Sequence, residues 1–240
     1  MLNMFGTDKF YDVVKYSFAI YAAKRVHITD SKIIPIIDAG HGGLNDMGKY
    51  VTAPHKMAEH KDLKFYEGVW NRAIAARFMI EQEQSGRSYI FISSPVEDTP
   101  LRERVRMVVN ATSYANKLGK KPYVVCLHAN AYGLESVNGV EVYTSPGATD
   151  ADPIAAIQYD ELEKLGWRMR PGSGQGEVDK EERFTMLVEP EKFGVPSTLP
   201  EIGFYTNYEQ VLEMCLPETM ETIGQLLRNA DLRVEHEGIL

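Results

Sequence analysis

Three side chains of this 240-residue sequence have the types and the neighbours expected of metal ligands. His41 and His128 each follow an apolar run that predicts a buried strand, residues 33–38 and 123–127, and Glu67 begins a stretch with helical spacing of apolar residues. Two imidazoles and a carboxylate, with water in the fourth position, form the ligand set of many catalytic zinc sites. Zinc bound in this way polarises a carbonyl oxygen and lowers the pKa of its water to about 7. The chemistry indicated is hydrolysis.

Spacing alone does not decide between this role and a structural one. The three residues are far apart in the sequence, and no compact metal motif such as HExxH joins them. A histidine after a strand is more often a loop residue, and a glutamate at a helix start is favoured by the helix dipole alone. On spacing alone, both interpretations stay open.

The elements that must position these residues follow an alternating pattern. From Lys32 onward, short runs rich in β-branched residues alternate with longer stretches of helical periodicity. This alternation predicts a three-layer α/β fold with a twisted, mainly parallel sheet flanked by helices. Open sheets of this kind bind ligands beyond the carboxyl ends of their strands, where His41 and His128 are predicted to lie. The predicted strands are 33–38, 89–93, 123–127, 139–144, 184–188 and 198–204. The predicted helices are 67–81, 100–115, 153–165 and 217–228, with loops at 44–65 and 171–183 and a frayed end at 235–240.

The first 30 residues are predicted to form an N-terminal amphipathic helical extension, packed on a single catalytic domain of residues 31–240. Apolar residues recur in the extension at roughly helical spacing. Charged residues interrupt the continuous apolar stretch that an export signal needs, so no signal peptide is predicted. These residues are Asp8, Lys9, Asp12 and Lys15.

Charge and composition exclude some classes of partner. The formal net charge of −8 argues against nucleic acid and against an anionic membrane surface. No stretch approaches the roughly 18 to 20 apolar residues of a membrane span, so none is predicted. Cys126 and Cys215 are too few for a disulfide framework, and both are expected to be buried thiols. The sequence does not indicate an oligomeric state.

Several segments, in order along the chain, resemble the zinc-dependent N-acetylmuramoyl-L-alanine amidases of the amidase-3 type. The likeness covers roughly residues 33–230. The segment 36–43 (IIDAGHGG) is similar to the family's first-ligand block, with Ala39 where the family usually has proline. The other segments are 67–75 (EGVWNRAIA), 100–105 (PLRERV), 127–131 (LHANA), 139–143 (GVEVY) and 200–207 (PEIGFYTN). Such blocks in the right order are far more specific than any one of them.

The resemblance implies a zinc ion held by His41, Glu67 and His128. It also implies that Glu201 takes a proton from the attacking water and then donates it to the leaving amine. Glu201 precedes Gly203 in a predicted strand, and a glycine there allows a ligand to approach the backbone closely. Asn130 is a candidate substrate-binding residue, and a role as a loop cap is equally open.

Glu59 competes with Glu67 for the ligand role, because residues 59–62 (EHKD) look like the family's acid-lysine-aspartate run. Glu67 is preferred, since Asn71 and Ile74 then match the family pattern and a helix begins there.

Three other candidates are given weaker roles. His55 and His60 lie in the predicted loop without strand support, and we interpret them as solvated or as contacts for substrate. Arg104 is interpreted as a helix-surface residue that pairs with Glu103 or its neighbours.

The implied reaction is hydrolysis of the amide between the lactyl group of N-acetylmuramic acid and the L-alanine of the stem peptide, which makes peptidoglycan the expected partner. Two alternatives remain open: a non-catalytic peptidoglycan-binding or regulatory module on the same fold, and a related zinc peptidase or deacetylase. We expect the protein to act on the cell wall. With no signal peptide predicted, it resembles a phage or prophage endolysin that is made in the cytoplasm and released, and a mature secreted enzyme is the other interpretation.

Overall fold

Strand β2 (Ile33–Ala39) is an interior strand of a sheet that is covered on both faces. The computed structural model describes residues 10–52, 55–173 and 178–240. The helices are α1 (Tyr11–Ala22), α2 (Glu67–Gln84), α3 (Leu101–Lys117), α4 (Asp152–Glu163), α5 (Thr185–Glu191), α6 (Tyr208–Met214) and α7 (Pro217–His236). The other strands are β1 (Val26–His27), β3 (Met57–Glu59), β4 (Lys64–Tyr66), β5 (Tyr89–Phe91), β6 (Lys121–Asn130), β7 (Val140–Thr144), β8 (Lys180–Glu181) and β9 (Ser197–Phe204).

The main sheet of the described residues has seven strands in the order β1-β5-β2-β6-β9-β7-β8. Strands β5, β2, β6 and β9 run parallel to one another. The edges are mixed: β1 is antiparallel to β5, and β7 is antiparallel to β9. The prediction of a mainly parallel α/β sheet is confirmed.

Alternate side chains of β2 enter two separate cores. Ile33 and Ile37 pack on the face covered by α1, α2, α4 and α7, whereas Ile34 and Ile36 pack on the face covered by α3 and α5. Successive side chains of a strand point to opposite faces, so a strand buried on both faces is apolar throughout. The apolar run of β2 therefore reflects its place in the middle of three layers.

The prediction of a strand at 184–188 is wrong, because this segment begins helix α5. Its buried residues are Met186, Leu187 and Pro190, a spacing that fits one face of a helix rather than alternation. A short apolar run does not distinguish a buried strand from a buried helix by periodicity.

Two loop predictions also need correction. The predicted loop at 44–65 contains β3 and the start of β4, which pair as a small antiparallel hairpin. The predicted loop at 171–183 contains β8, and its residues 174–177 lie outside the described residues.

The end of the chain is more ordered than predicted. Helix α7 continues to His236, and the carboxylate of Glu235 accepts the backbone N–H of Lys32 at 2.8 Å and pairs with Arg87 at 2.8 Å. Residues 235 and 236 therefore belong to a helix that contacts the start of β2 rather than to a frayed end.

The predicted helical extension of residues 1–30 contains helix α1, and its residues 1–9 lie outside the described residues. Helix α1 packs against α2. Phe10, immediately before it, is fully buried, and its ring meets the rings of Phe65 and Tyr66 at centroid distances of 5.6 and 5.9 Å. The chain then adds β1 to the edge of the main sheet. The division into an extension and a domain at residue 30 stays a prediction.

Cys126 and Cys215 are both free and buried, as expected. Among the described residues, no helix combines the length and the apolar character needed to cross a bilayer.

Candidate metal centre and active site

The candidate site lies at the carboxyl ends of three neighbouring strands, β2, β6 and β9. His41 lies two residues after the end of β2, while His128 and Glu201 lie on β6 and β9, directly opposite each other in the parallel register. Strand β6 extends to Asn130, so His128 lies within the strand rather than just after it. Glu67, the first residue of α2, completes the group.

The structure brings His41, Glu67 and His128 together. Oε1 of Glu67 lies 2.9 Å from Nδ1 of His128 and 3.2 Å from Nε2 of His41. The two imidazole rings are 5.0 Å apart and almost perpendicular. One ligand atom from each residue falls within 4.8 Å of the others, which is close enough for a single metal ion to bind all three.

Opposing effects set the charge state of this cluster. Burial alone would raise the pKa of Glu67, but the adjacent imidazoles of His128 and His41 lower it to about 2. Burial lowers the pKa of His41. Burial would also lower the pKa of His128, but its hydrogen bond to Glu67 and the nearby carboxylate of Glu201 raise it. Glu67 is thus an anion, which is the form that binds a metal.

Two polar atoms of the cluster support a metal site. Oε2 of Glu67 and Nε2 of His41 are buried and have no hydrogen-bond partner among the described residues. Buried polar atoms are normally satisfied, so such atoms need an explanation. An ion bound by two imidazole nitrogens and a carboxylate oxygen would provide one, and this donor set suits zinc.

A glycine allows the second histidine its position. A Cβ atom placed on Gly40 would lie 2.1 to 2.7 Å from three ring atoms of His128. Any side chain at residue 40 would therefore displace this imidazole.

Glu201 lies beside the cluster with an unpaired oxygen. Its Oε2 atom is buried and has no hydrogen-bond partner among the described residues. Burial raises the pKa of Glu201 to about 7, with Glu67 and Glu141 adding to the effect and His128 and Lys56 opposing it. A carboxyl group with this pKa can both accept and donate a proton near neutral pH.

Asn130 is held by internal hydrogen bonds. Its Nδ2 donates to Oε2 of Glu141 at 2.8 Å, and its Oδ1 accepts the backbone N–H of Ala131 at 2.8 Å. The second bond matches the loop-cap alternative, and Nδ2 retains one further N–H. A substrate contact by Asn130 stays a prediction.

The competing residues lie elsewhere. Glu59 is exposed and pairs with Lys64 at 3.0 Å, away from both histidines of the cluster. His60 is held through Nε2, 3.0 Å from the backbone carbonyl of Tyr205. His55 contributes its backbone carbonyl to the hydroxyl of Tyr205 at 3.4 Å.

The interpretation of Arg104 as a surface residue is wrong. Its side chain is only 4% exposed and pairs with Asp38, whereas Glu103 pairs with Arg106 instead. A signal was available in the sequence, because the buried residues of α3 have helical spacing that includes position 104. They are Arg104, Val108, Ala111 and Ala115. Arg72, which was given no role, is buried beside it.

Comparison with known proteins assigns the family. Residues 36–230 match the model of a family described as N-acetylmuramoyl-L-alanine amidase. The chain belongs to this family. The match includes every residue of the candidate site described above, from His41 to Glu201. No curated protein sequence shows significant similarity to the chain.

Solved amidase structures share the fold. The N-acetylmuramoyl-L-alanine amidase from Clostridium difficile 630 superposes with a TM-score of 0.66 at 20% identity, over 85% of this chain and 97% of that one. Ami1 from Mycobacterium smegmatis gives 0.65 at 20% identity, over 88% and 100%. The catalytic domain of the CD27L endolysin, which targets Clostridium difficile, gives 0.57 at 18% identity, over 84% and 97%. At these identities the comparisons establish the shared α/β fold.

Proposed function

We propose that this chain hydrolyses the amide between the lactyl group of N-acetylmuramic acid and the L-alanine of the peptidoglycan stem peptide, with zinc as its cofactor. His41, Glu67 and His128 hold the zinc ion, and Glu201 moves the proton. The observation that carries the proposal is the position of Glu201, which lies opposite His128 on the neighbouring strand with a buried and unpaired oxygen. Membership of the amidase family supports the choice of bond.

Zinc, when bound, polarises the scissile carbonyl and makes water a stronger nucleophile. The protein residues supply the rest. Oε1 of Glu67 contacts both imidazoles, which fixes the orientation of the ligand rings. The unpaired Oε2 of Glu201 accepts a proton from the attacking water and then donates it to the amine of the leaving L-alanine. The raised pKa of this carboxyl group makes the second step possible.

The proposal places the protein at the cell wall. The amidase domain of residues 31–240 binds peptidoglycan, and Asn130 offers its remaining N–H to the substrate. Release from the cytoplasm in the manner of a phage endolysin is the proposed route to the wall, with secretion as the alternative.

Digestion of purified peptidoglycan tests the proposed reaction. The wild-type chain is loaded with zinc or stripped with a chelator, and the products are identified by mass spectrometry. We expect free stem peptides that begin with L-alanine, together with intact glycan strands, only from the zinc-loaded protein. A His128→Ala variant is the matched negative control.

Other products would contradict the proposal in distinguishable ways. Cleavage within the stem peptide would identify a zinc peptidase, and loss of acetyl groups from the glycan would identify a deacetylase. Binding to peptidoglycan without any product would identify a non-catalytic module.

A further inference from the structure

His41 has an unusual backbone conformation. Its φ is 61°, and it is the only residue other than glycine with a positive φ among the described residues. This left-handed region is unfavourable for L-residues, because Cβ approaches a backbone carbonyl oxygen. Such a conformation persists where the surrounding structure enforces it.

Two buried guanidinium groups meet on the carbonyl oxygen of His41. Nη2 of Arg72 donates to it at 2.8 Å, and Nη2 of Arg104 donates to it at 3.0 Å. The two arginines come from different helices, α2 and α3, and both are buried. Two charge-assisted donors on one carbonyl fix the direction of that peptide group.

Arg104 connects this carbonyl to the end of β2. Its Nη1 lies 3.1 Å from both carboxylate oxygens of Asp38 and 3.2 Å from the carbonyl oxygen of Ala39. Asp38 is held in turn by the hydroxyl of Ser93, which donates to Oδ1 at 2.6 Å. The guanidinium is therefore anchored at one end while its other end holds His41.

Arg72 connects the same carbonyl to the helix that carries Glu67. Its Nη1 donates to the carbonyl of Gly68 at 2.8 Å, and its Nε donates to the carbonyl of Ser94 at 3.0 Å. Since Gly68 directly follows Glu67, one side chain fixes the backbone beside two members of the cluster.

We propose that Arg72 and Arg104 are positioning residues of the metal centre, which hold His41 in its left-handed conformation and so aim its imidazole at Glu67 and His128. The inference rests on the proposed zinc site. Neither arginine touches the metal or the substrate in this role. Their effect is to organise the site before the metal binds, which raises zinc affinity.

A role in stability alone is the competing explanation, and the chain contains a matched control for it. Arg87 and Asp231 form a second buried pair, 8% and 0% exposed, between the start of β5 and helix α7. Residues before a parallel strand lie at the amino end of the sheet, opposite the edge that carries His41. Loss of that pair removes a comparable buried ion pair without touching the site.

The test measures zinc affinity by competition with a chromophoric chelator, together with unfolding by urea. The site variant is Asp38→Asn with Arg104→Gln, which leaves no unpaired charge at residue 38 or 104, and the control is Asp231→Asn with Arg87→Gln. We expect the site variant to bind zinc about 10 to 100 times more weakly than wild type, as is typical when the groups that orient metal ligands are lost. The control is expected to keep wild-type zinc affinity even if its stability falls.

Arg104→Lys provides a second test that keeps the charge next to Asp38, and it decides the matter if the double variant does not fold. Lysine lacks the planar guanidinium group that contacts both Asp38 and His41. The zinc affinity of the Arg104→Lys protein is therefore also expected to fall. If the folded site variants bind zinc as tightly as wild type while their stability falls as in the control, the inference is wrong. The proposed zinc site itself would still stand. A wild-type chain that binds no zinc would instead overturn the proposed metal centre itself.

Discussion

Glu141 and Glu201 lie directly opposite each other across the antiparallel pair of β7 and β9. Opposed residues in such a pair project from the same face of the sheet. Glu141 accepts hydrogen bonds from Lys180 at 2.6 Å and from Arg170 at 2.9 Å, whereas Oε2 of Glu201 has no partner among the described residues. Neighbouring carboxyl groups whose surroundings push their pKa values apart are a mark of acid–base sites. One carboxylate is kept charged, and its neighbour can exchange a proton.

The network around Glu141 predicts a pH dependence of stability. Burial alone would raise the pKa of Glu141, but hydrogen bonds from Lys180, Tyr143 and Arg170 lower it below the usual 4.5. The stabilisation is therefore complete above about pH 4.5 and is lost as the pH falls through the folded-state pKa. Glu141→Gln is expected to lower the free energy of unfolding by about 1 to 3 kcal/mol at neutral pH. It is also expected to make the decrease in stability at low pH smaller. Urea unfolding at a series of pH values measures both effects.

The control for this variant is Glu59→Gln, which removes an exposed carboxylate from a surface pair with Lys64. Surface pairs of this kind contribute about 0 to 1 kcal/mol. If the stability of the Glu141→Gln protein depends on pH in the same way as that of wild type, the network around Glu141 does not cause the predicted loss of stability in acid.

Glu201→Gln is expected to lower the turnover number by about 100- to 10,000-fold, the range that general acid–base groups contribute. Glutamine keeps the size of the side chain but cannot accept the proton. Zinc content should stay at the wild-type level, whereas His128→Ala should lose both zinc and activity. Metal analysis and release of stem peptides measure the two properties. Full wall hydrolysis by folded Glu201→Gln protein would exclude Glu201 as the base.

Glu67→Gln is expected to weaken zinc binding by more than about 100-fold. Loss of a group that only orients a metal ligand costs up to about 100-fold. The larger effect is expected because the variant removes the anionic oxygen shared by both histidines. Glu59→Gln is the control, and its zinc affinity should equal that of wild type. Chelator competition compares the two, and the reverse pattern would assign the ligand role to Glu59.

Gly40→Ala tests the close approach between the loop after β2 and His128. The added methyl group would overlap the imidazole, so we expect weaker zinc binding and lower activity. Gly133→Ala is the matched control, because nothing lies within 4 Å of the Cβ that it would add. Equal zinc affinities for the two variants would show that the loop can move away without cost.

The sequence predicted the central strands and most helices, because the strands are continuous apolar runs and the helices have clear helical spacing of apolar residues. Strands β2 and β6 are apolar runs buried on both faces, and the helical spacing from Glu67 marks α2. Helix α5 was missed because its apolar run is too short to show a period. The residues of the candidate site were found through the resemblance to a family rather than through their spacing.

The groups that support the site could not be read from the sequence. Arg170 and Lys180 lie 29 and 39 residues from Glu141, so nothing local indicates that all three meet. Arg104 was placed on the surface because arginine usually is, although its position falls on the buried face of α3. Buried ion pairs depend on tertiary geometry, which residue types alone do not specify.

The packing of the N-terminal segment has a consequence for the design of truncated or chimaeric proteins. The homologous region begins at residue 36, yet Phe10 fills a site against Phe65, and β1 protects the free edge of β5. The region that the family model matches is therefore shorter than the part of the chain that packs together. A chimaera that carries only the homologous region would expose the side chains of α2 that helix α1 covers and the edge of β5 that β1 pairs with, and both kinds of exposure promote aggregation. We therefore expect a transplant of this amidase domain to need helix α1 and strand β1.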